Sequence, residues 1–216
     1  MKKIIYIVVF MSICGVSFAG VFDDVKSYFG GNLNDYKVSF EKSIDNYNKS
    51  QETSKEKLSD GISYFKEALE NAKLKNPDFA ALHDKWTDVT NSVNNVESNF
   101  KREVKKAGSL FEEYDRLTKS MSDKVQRDQI QAKVDSKRNE WTKHFLMTKD
   151  TLDKLRVRTS SVADTITGLE VVFSLAEVDT LIKNLDGINI EVDEILKRLD
   201  SLSEEATKML KTNMDL

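Results

Sequence analysis

The fold is decided by residues 79–114, which read "FAALHDKWTDVTNSVNNVESNFKREVKKAGSLFEEY". Apolar side chains recur here every three or four residues and form one seam: Phe79, Leu82, Trp86, Val89, Val93, Val96, Phe100, Val104, Ala107, Phe111 and Tyr114. Ten steps cover the 35 residues from Phe79 to Tyr114, a mean period of 3.5, which is typical of left-handed coiled-coil packing. Because no polar residue falls on this seam, we expect an uninterrupted apolar face.

Three other segments carry the same helical period. The first covers about 34–75 and ends before Pro77, which cannot continue a helix without losing a hydrogen bond. The third begins near Ser122, which is the expected N-terminal cap. The fourth begins at Ser174, and Glu177 has the spacing that completes a capping box.

The four segments are similar in length and their connections are very short, which makes successive helices antiparallel neighbours. The sequence therefore predicts an all-α fold, an elongated antiparallel four-helix bundle with coiled-coil-like packing over residues 34–216. A single extended rod is the alternative. Since a rod would have to bury its seams against a second chain, a monomeric bundle and a homodimer both stay open.

The apolar stripe of the first segment is interrupted within "NKSQETSKEKL", residues 48–58, where Gln51 and Ser54 occupy the seam. Two interpretations fit this interruption. The two side chains form a polar layer, which can fix the register of a helical bundle at some cost in stability. Alternatively, Gln51, Ser54 and Lys55 form an interaction face that stays open for a partner.

The start of the chain predicts export. Residues 1–19 have the basic start, short apolar run and small terminal residues of a secretory signal peptide, with cleavage expected after Ala19. Residues 20–33 form a short amphipathic N-terminal segment, expected as a helix that packs on the end of the bundle or lies on a membrane surface. Cys14 fits a lipid anchor poorly because Ile13 precedes it. We expect a periplasmic or secreted protein with no transmembrane segment after signal removal.

The composition excludes several classes of function. Charged residues make up 32% of the chain with a net charge of −3 and are interspersed, so no nucleic-acid partner is expected. Neither His83 nor His144 follows a glutamate by three residues, and a single pair one turn apart, Glu140 and His144, does not define a metal site. No catalytic motif or phosphate-binding glycine loop is present. We expect no enzyme activity, no metal and no cofactor.

The most apolar patch is "GLEVVFSLA", residues 168–176, between the third and fourth segments. It is expected to be a packed turn. The alternative is a membrane-contact tip, formed by Leu169, Val171, Val172 and Phe173, in a secreted, membrane-active protein that resembles pore-forming helical proteins.

Residues 50–69, "SQETSKEKLSDGISYFKEAL", resemble the bacterial family of exported helical proteins catalogued as domain of unknown function 2959. The specific matches are Ser50-Gln51-Glu52, Lys55-Glu56, Leu58, Phe65 and Ala68-Leu69; the later similarity is one of layout. The resemblance implies an exported helical protein and no particular activity. We expect a structural or protein-interaction module with an unknown protein partner in the cell envelope.

Overall fold

The computed structural model describes residues 32–72, 77–171, 173 and 178–213. The chain divides into two units, residues 1–30 and 31–216, and the second contains all the helices described below. The predicted signal peptide, Cys14 and residues 20–31 of the short N-terminal segment lie outside the described residues.

Four long helices account for nearly all of the described chain, and no strand occurs among these residues. They are α1 (Asn32–Asn71), α2 (Phe79–Lys119), α3 (Lys124–Val171) and α4 (Val178–Asn213). The shortest has 36 residues and the longest 48, which corresponds to lengths of about 54 to 72 Å at 1.5 Å per residue. The all-α prediction is confirmed.

The helices pack in a closed ring in which α1 and α3 each contact both α2 and α4. Helices α1 and α4 are antiparallel, because their ion pairs join residues in opposite order. Lys55 pairs with Asp200 at 2.9 Å, and Lys66 pairs with Asp186 at 2.8 Å. Sequential helices run in opposite directions as well, which is the arrangement that the short connections predict. The four helices therefore form an antiparallel bundle.

The N-termini of α2 and α3 are capped by aspartates. Asp78 caps α2 by accepting a hydrogen bond from the Ala81 backbone N–H at 3.1 Å. At the start of α3, Asp123 accepts from the Gln126 N–H at 3.1 Å, so the prediction that Ser122 is the cap was one residue early. An aspartate supplies the same acceptor oxygen and adds a negative charge that favours a helix N-terminus. The predicted capping box of Ser174 and Glu177 lies outside the described residues.

The buried face of α2 differs from the predicted seam at residues 103 and 104. Val104 is 38% exposed, and its neighbour Glu103 is 1% exposed. Asn99 and Glu113 are also buried, so the expectation of an apolar face without polar members is wrong. Because α2 packs against both α1 and α3, its buried face is wider than one seam.

Helices α1 and α2 pack closely against each other at Gly61. A Cβ atom added there would lie 2.5 Å from Cγ2 of Val89 and 3.2 Å from Cζ3 of Trp86. The first distance is shorter than any normal contact, and a valine in a helix has almost no rotamer freedom with which to move away. Glycine is therefore required at this position by the packing of the two helices.

We expect Gly61→Ala to lower the free energy of unfolding by about 1–3 kcal/mol, because overpacking outweighs the gain in helix propensity. Gly108→Ala is the matched control, since a Cβ atom on Gly108 in α2 meets nothing within 4 Å. It should raise the stability by about 0.5–1 kcal/mol. Urea denaturation followed by circular dichroism measures both, and equal changes in the two variants would contradict the close approach.

Candidate functional site

The apolar core consists of two clusters separated by buried polar side chains. One cluster contains Phe40, Ile44, Ala107, Trp141 and Ala206, and the other contains Leu58, Phe100, Leu152 and Leu199. Where α1, α2 and α3 pass from one cluster to the other, they have buried polar positions, whereas α4 has the buried Leu202 there. We call these five buried side chains the polar layer: Tyr47, Gln51, Glu103, His144 and Thr148.

Glu103 is the most unusual member of the polar layer. Its carboxyl Oε2 atom is buried and has no hydrogen-bond partner in the described part of the protein. Burial raises the pKa of Glu103 to about 8, since removing a carboxylate from water penalises its charged form. At neutral pH the carboxyl is therefore protonated, and the layer carries a proton that an exposed glutamate would have lost.

Tyr47 lies across the interface from α2, with its ring 6.0 Å from that of Phe100. Its hydroxyl is buried and accepts or donates no hydrogen bond within the described residues. Burial raises the pKa of Tyr47 strongly, and repulsion from the Glu103 carboxylate, which forms only at alkaline pH, and from Asp200 adds to the effect. The phenol therefore remains neutral.

His144 brings α3 into the polar layer. Its Nε2 atom lies 3.5 Å from Oγ1 of Thr148, and its Nδ1 atom lies 4.0 Å from Oε2 of Glu205 on α4. Burial lowers the pKa of His144, although the charge of Glu205 acts in the opposite direction. The imidazole is therefore held neutral. Glu140, the residue one turn away that the sequence paired with His144, lies on the exposed side of α3 next to Lys137.

Gln51 and Ser54, two of the three residues of the predicted interaction face, are buried in the bundle. Gln51 is 3% exposed and donates from Nε2 to Oδ1 of Asp200 at 2.7 Å. Ser54 faces Ser92 of α2, with 3.3 Å between the two hydroxyls. Only Lys55 of the three has an exposed side chain, and it pairs with Asp200. The burial of Gln51 and Ser54 favours the structural interpretation of the interrupted apolar stripe over that of an interaction face open to a partner.

The polar layer lies within the core of the bundle. Its titratable groups are buried, and the adjoining polar groove between α1 and α4, of about 530 Å³, is lined by Gln51 and Lys55 and not by Glu103 or His144. Across the described ranges, no three His, Cys, Asp or Glu side chains are grouped as a metal ion requires. The layer is thus best described as a pH-sensitive part of the core.

A second groove, of about 580 Å³, lies on the surface between α2 and α3. Its floor is apolar and its walls are charged: Phe100, Val104, Phe145, Leu146 and Leu152 supply the apolar surface, and Glu97, Lys101, Lys149, Asp153 and Arg156 supply the charges. We call it the α2–α3 groove. The floor is continuous with the core, because the rings of Phe100 and Phe145 lie 6.0 Å apart in an edge-to-face arrangement.

The outer surface of α3 beside this groove has two exposed apolar side chains. Leu146 is 64% exposed and Val157 is 63% exposed. They are eleven residues apart, so they lie three turns apart on the same face of the helix. An apolar groove next to exposed apolar side chains with a polar surround is the usual pattern of a protein interaction site.

The predicted membrane-contact tip is largely packed. Leu169 is buried, and Phe173 packs on Phe79 with 5.9 Å between ring centroids. Val171 is exposed, and Val172 lies outside the described residues. None of the helices that the described residues form is long and apolar enough to span a bilayer.

Sequence reasoning missed Glu103 and the burial of His144. A glutamate between two lysine-rich turns gives no sign of burial, since charged side chains are almost always exposed. His144 could have been found, because it lies three residues after Trp141 on the stripe of the third segment.

The fold and the surface together define a class, an all-helical bundle with an apolar surface groove. Comparisons with family models, with curated proteins and with solved structures found no match to this chain. The resemblance to the family of exported helical proteins therefore stays a prediction.

Proposed function

We propose that this chain is an exported, periplasmic helical-bundle protein that acts as a structural or protein-interaction module. The observation that carries the proposal is the exposed apolar surface made by the α2–α3 groove together with Leu146 and Val157 of α3. A side chain as large as leucine gains free energy when it leaves water, by about 1.5–3 kcal/mol for complete burial. Leu146 and Val157 can gain it by contact with another protein.

The charges at the groove support binding of a protein. Lys101 on α2 and Arg156 on α3 line its two walls, and neither forms an ion pair within the described residues. The cationic groups are thus free to pair with carboxylates of a bound partner. Charged side chains around an apolar centre select the partner and its orientation.

A photo-crosslinking amino acid in place of Leu146 tests the proposal in cells that produce the protein. We expect adducts of higher mass from this position, because a bound partner would lie against it. The same amino acid in place of Ile190, which is 60% exposed on α4, is the matched control and should give none. Equal yields at the two positions, or no adduct at either, would count against the groove as the interaction surface.

The alternative function, a secreted membrane-active protein, has one observation in its favour, the exposure of Val171. Leu169 and Phe173 contribute to packing within the bundle and would have to leave it to enter a bilayer. We therefore expect the purified mature protein not to co-sediment with liposomes of anionic and zwitterionic lipid. Co-sedimentation that survives high salt would replace our proposal with the membrane-active one.

A further inference from the structure

The outer face of α3 has a nearly palindromic pattern of charge and size. Residues 146–157 read "LMTKDTLDKLRV". Outward from the midpoint between Thr151 and Leu152, three pairs of exposed residues match: Asp150 and Asp153, then Lys149 and Lys154, then Leu146 and Val157. Arg156 is also exposed, and its counterpart Met147 differs from it in kind. At these three pairs of positions, the same kinds of side chain occur at equal distances in the two directions.

These six residues occupy one face of the helix and are exposed. The spacing of four, three and four residues through positions 146, 150, 153 and 157 keeps them on one stripe. Positions 149 and 154 lie on the two flanks of that stripe. Each of the four charged side chains is more than half exposed, and they form two pairs within the helix, Lys149 with Asp153 at 2.6 Å and Lys154 with Asp150 at 2.7 Å.

Resting on the proposed function, we propose that this face binds a second copy of the chain, with the two α3 helices packed antiparallel about a two-fold axis at the midpoint of residues 146–157. An isologous interface of this kind needs a surface that is complementary to itself. The palindrome supplies that property, since Leu146 meets Val157 of the second copy and each lysine lies beside an aspartate of the second copy.

The contacts follow from helix geometry. Leu146 lies at the same height as Val157 of the second copy, so two apolar contacts form, one at each end of the pattern. On one flank, Lys149 lies about 1.5 Å along the axis from Asp153 of the second copy. On the other flank, Asp150 has the same offset from Lys154 of the second copy. Lys149 is level with Lys154 of the second copy, and Asp150 is level with Asp153 of the second copy. In each case the two like charges lie on opposite flanks of the interface and do not meet.

The apolar surface beside the face extends the contact. Val104 is partly exposed and lines the α2–α3 groove together with Leu146. The second copy covers Leu146 and the rim of this groove, which removes apolar surface from water in both chains. Since one helix of each copy makes most of the interface, it is at the small end of protein interfaces, and the dimer should depend on protein concentration.

Charge-swapped variants test the antiparallel register. One variant carries Lys149→Asp and Lys154→Asp, and the other carries Asp150→Lys and Asp153→Lys. Each should be monomeric at concentrations where the wild-type mature protein is a dimer, because four like charges face four like charges. An equimolar mixture should form a heterodimer, since the opposite charges are again paired. Sedimentation velocity measures the masses, and circular dichroism verifies that both variants are folded.

Single substitutions test the apolar contacts. Leu146→Glu should raise the dimer dissociation constant at least about tenfold, which corresponds to about 1.4 kcal/mol. Ile190→Glu, at an equally exposed site on α4, should leave the constant unchanged. A wild-type protein that is monomeric up to about 1 mM, or charge-swapped variants that dimerise alone as well as the wild type, would overturn the self-pairing. The proposed function would fail separately, by the absence of crosslinks from position 146 to any protein.

Discussion

Replacing Glu103 with glutamine is expected to abolish most of the loss of stability that the wild-type protein suffers between about pH 5 and pH 8. The folded protein holds the Glu103 carboxyl protonated up to about pH 8, whereas an unfolded chain loses that proton near the ordinary value of 4.5. Between these two values, the folded state binds one proton more than the unfolded state. The free energy of unfolding therefore falls as the pH rises.

The size of the effect follows from the difference between the two pKa values. Each unit of difference in pKa corresponds to about 1.4 kcal/mol, and the two values, 4.5 and about 8, differ by about 3.5. The wild type should therefore lose roughly 5 kcal/mol in all. Glutamine resembles the protonated acid in shape and cannot ionise. Glu103→Gln should match the wild type near pH 5 and exceed its stability by several kcal/mol at pH 9.

His144 gives a pH dependence of the opposite sign. Its pKa is lowered in the folded protein, so the unfolded chain binds the additional proton in the acidic range. Stability from this group is present above about pH 6.5 and is lost as the pH falls. The loss of stability at acidic pH should therefore persist in Glu103→Gln and become smaller in a His144→Gln variant. Part of it remains there, because the pKa values of Glu113 and Asp115 are also lowered in the folded protein.

Urea denaturation at a series of pH values measures how the free energy of unfolding changes on the acidic and on the alkaline side. Glu112→Gln is the matched control, because Glu112 is an exposed glutamate on the same helix. It should leave the whole pH profile as in the wild type. A Glu103→Gln profile with the same alkaline slope as the wild type would show that Glu103 is not the group that titrates.

Trp141→Ala should lower the free energy of unfolding by about 3–5 kcal/mol, the usual cost of removing a large buried aromatic side chain. Trp141 is buried between α1 and α3, with its ring 4.9 Å from that of Phe40 and 5.5 Å from that of Phe145. The smaller side chain leaves a cavity next to the polar layer that rigid helices cannot fill. Thermal and urea unfolding followed by circular dichroism measure the loss.

Tyr64→Ala is the control for this prediction, because Tyr64 is a large aromatic residue that is exposed on α1. Surface substitutions of this type usually change stability by less than about 0.5 kcal/mol. Losses of similar size in the two variants would mean that Trp141 does not pack as described.

Much of the fold could be predicted from the sequence, because helix period and chain breaks are local properties. Pro77 and Asp78 mark the start of α2, and the apolar stripe from Phe79 to Tyr114 marks the length of its buried face. The assignment of Val104 to the core failed for a physical reason. A helix with 3.6 residues per turn drifts by about 20° per heptad from a 3.5-residue seam, and packing against two neighbours broadens the buried face to include Glu103.

The candidate site was less accessible to sequence reasoning, because it depends on side chains from different helices. Gln51 and Ser54 interrupt the apolar stripe of the first segment. Both side chains are buried, and each makes a hydrogen bond to another helix of the bundle. Leu146 and Val157 gave no such signal, since single exposed apolar residues are common on any protein surface. Their significance comes from the adjoining α2–α3 groove, which only the packing of α2 on α3 creates.

The central claim is that the outer face of α3 and the α2–α3 groove form the surface through which this protein binds other protein molecules. Hydroxyl-radical footprinting of the mature protein tests it most directly, first in dilute solution and then at high concentration or with its own envelope extract. Oxidation of Leu146 and Val157 should fall on binding, while that of Ile190 and Val125 stays constant. Leu146 and Val157 that remain as reactive as Ile190 under every condition would contradict the claim.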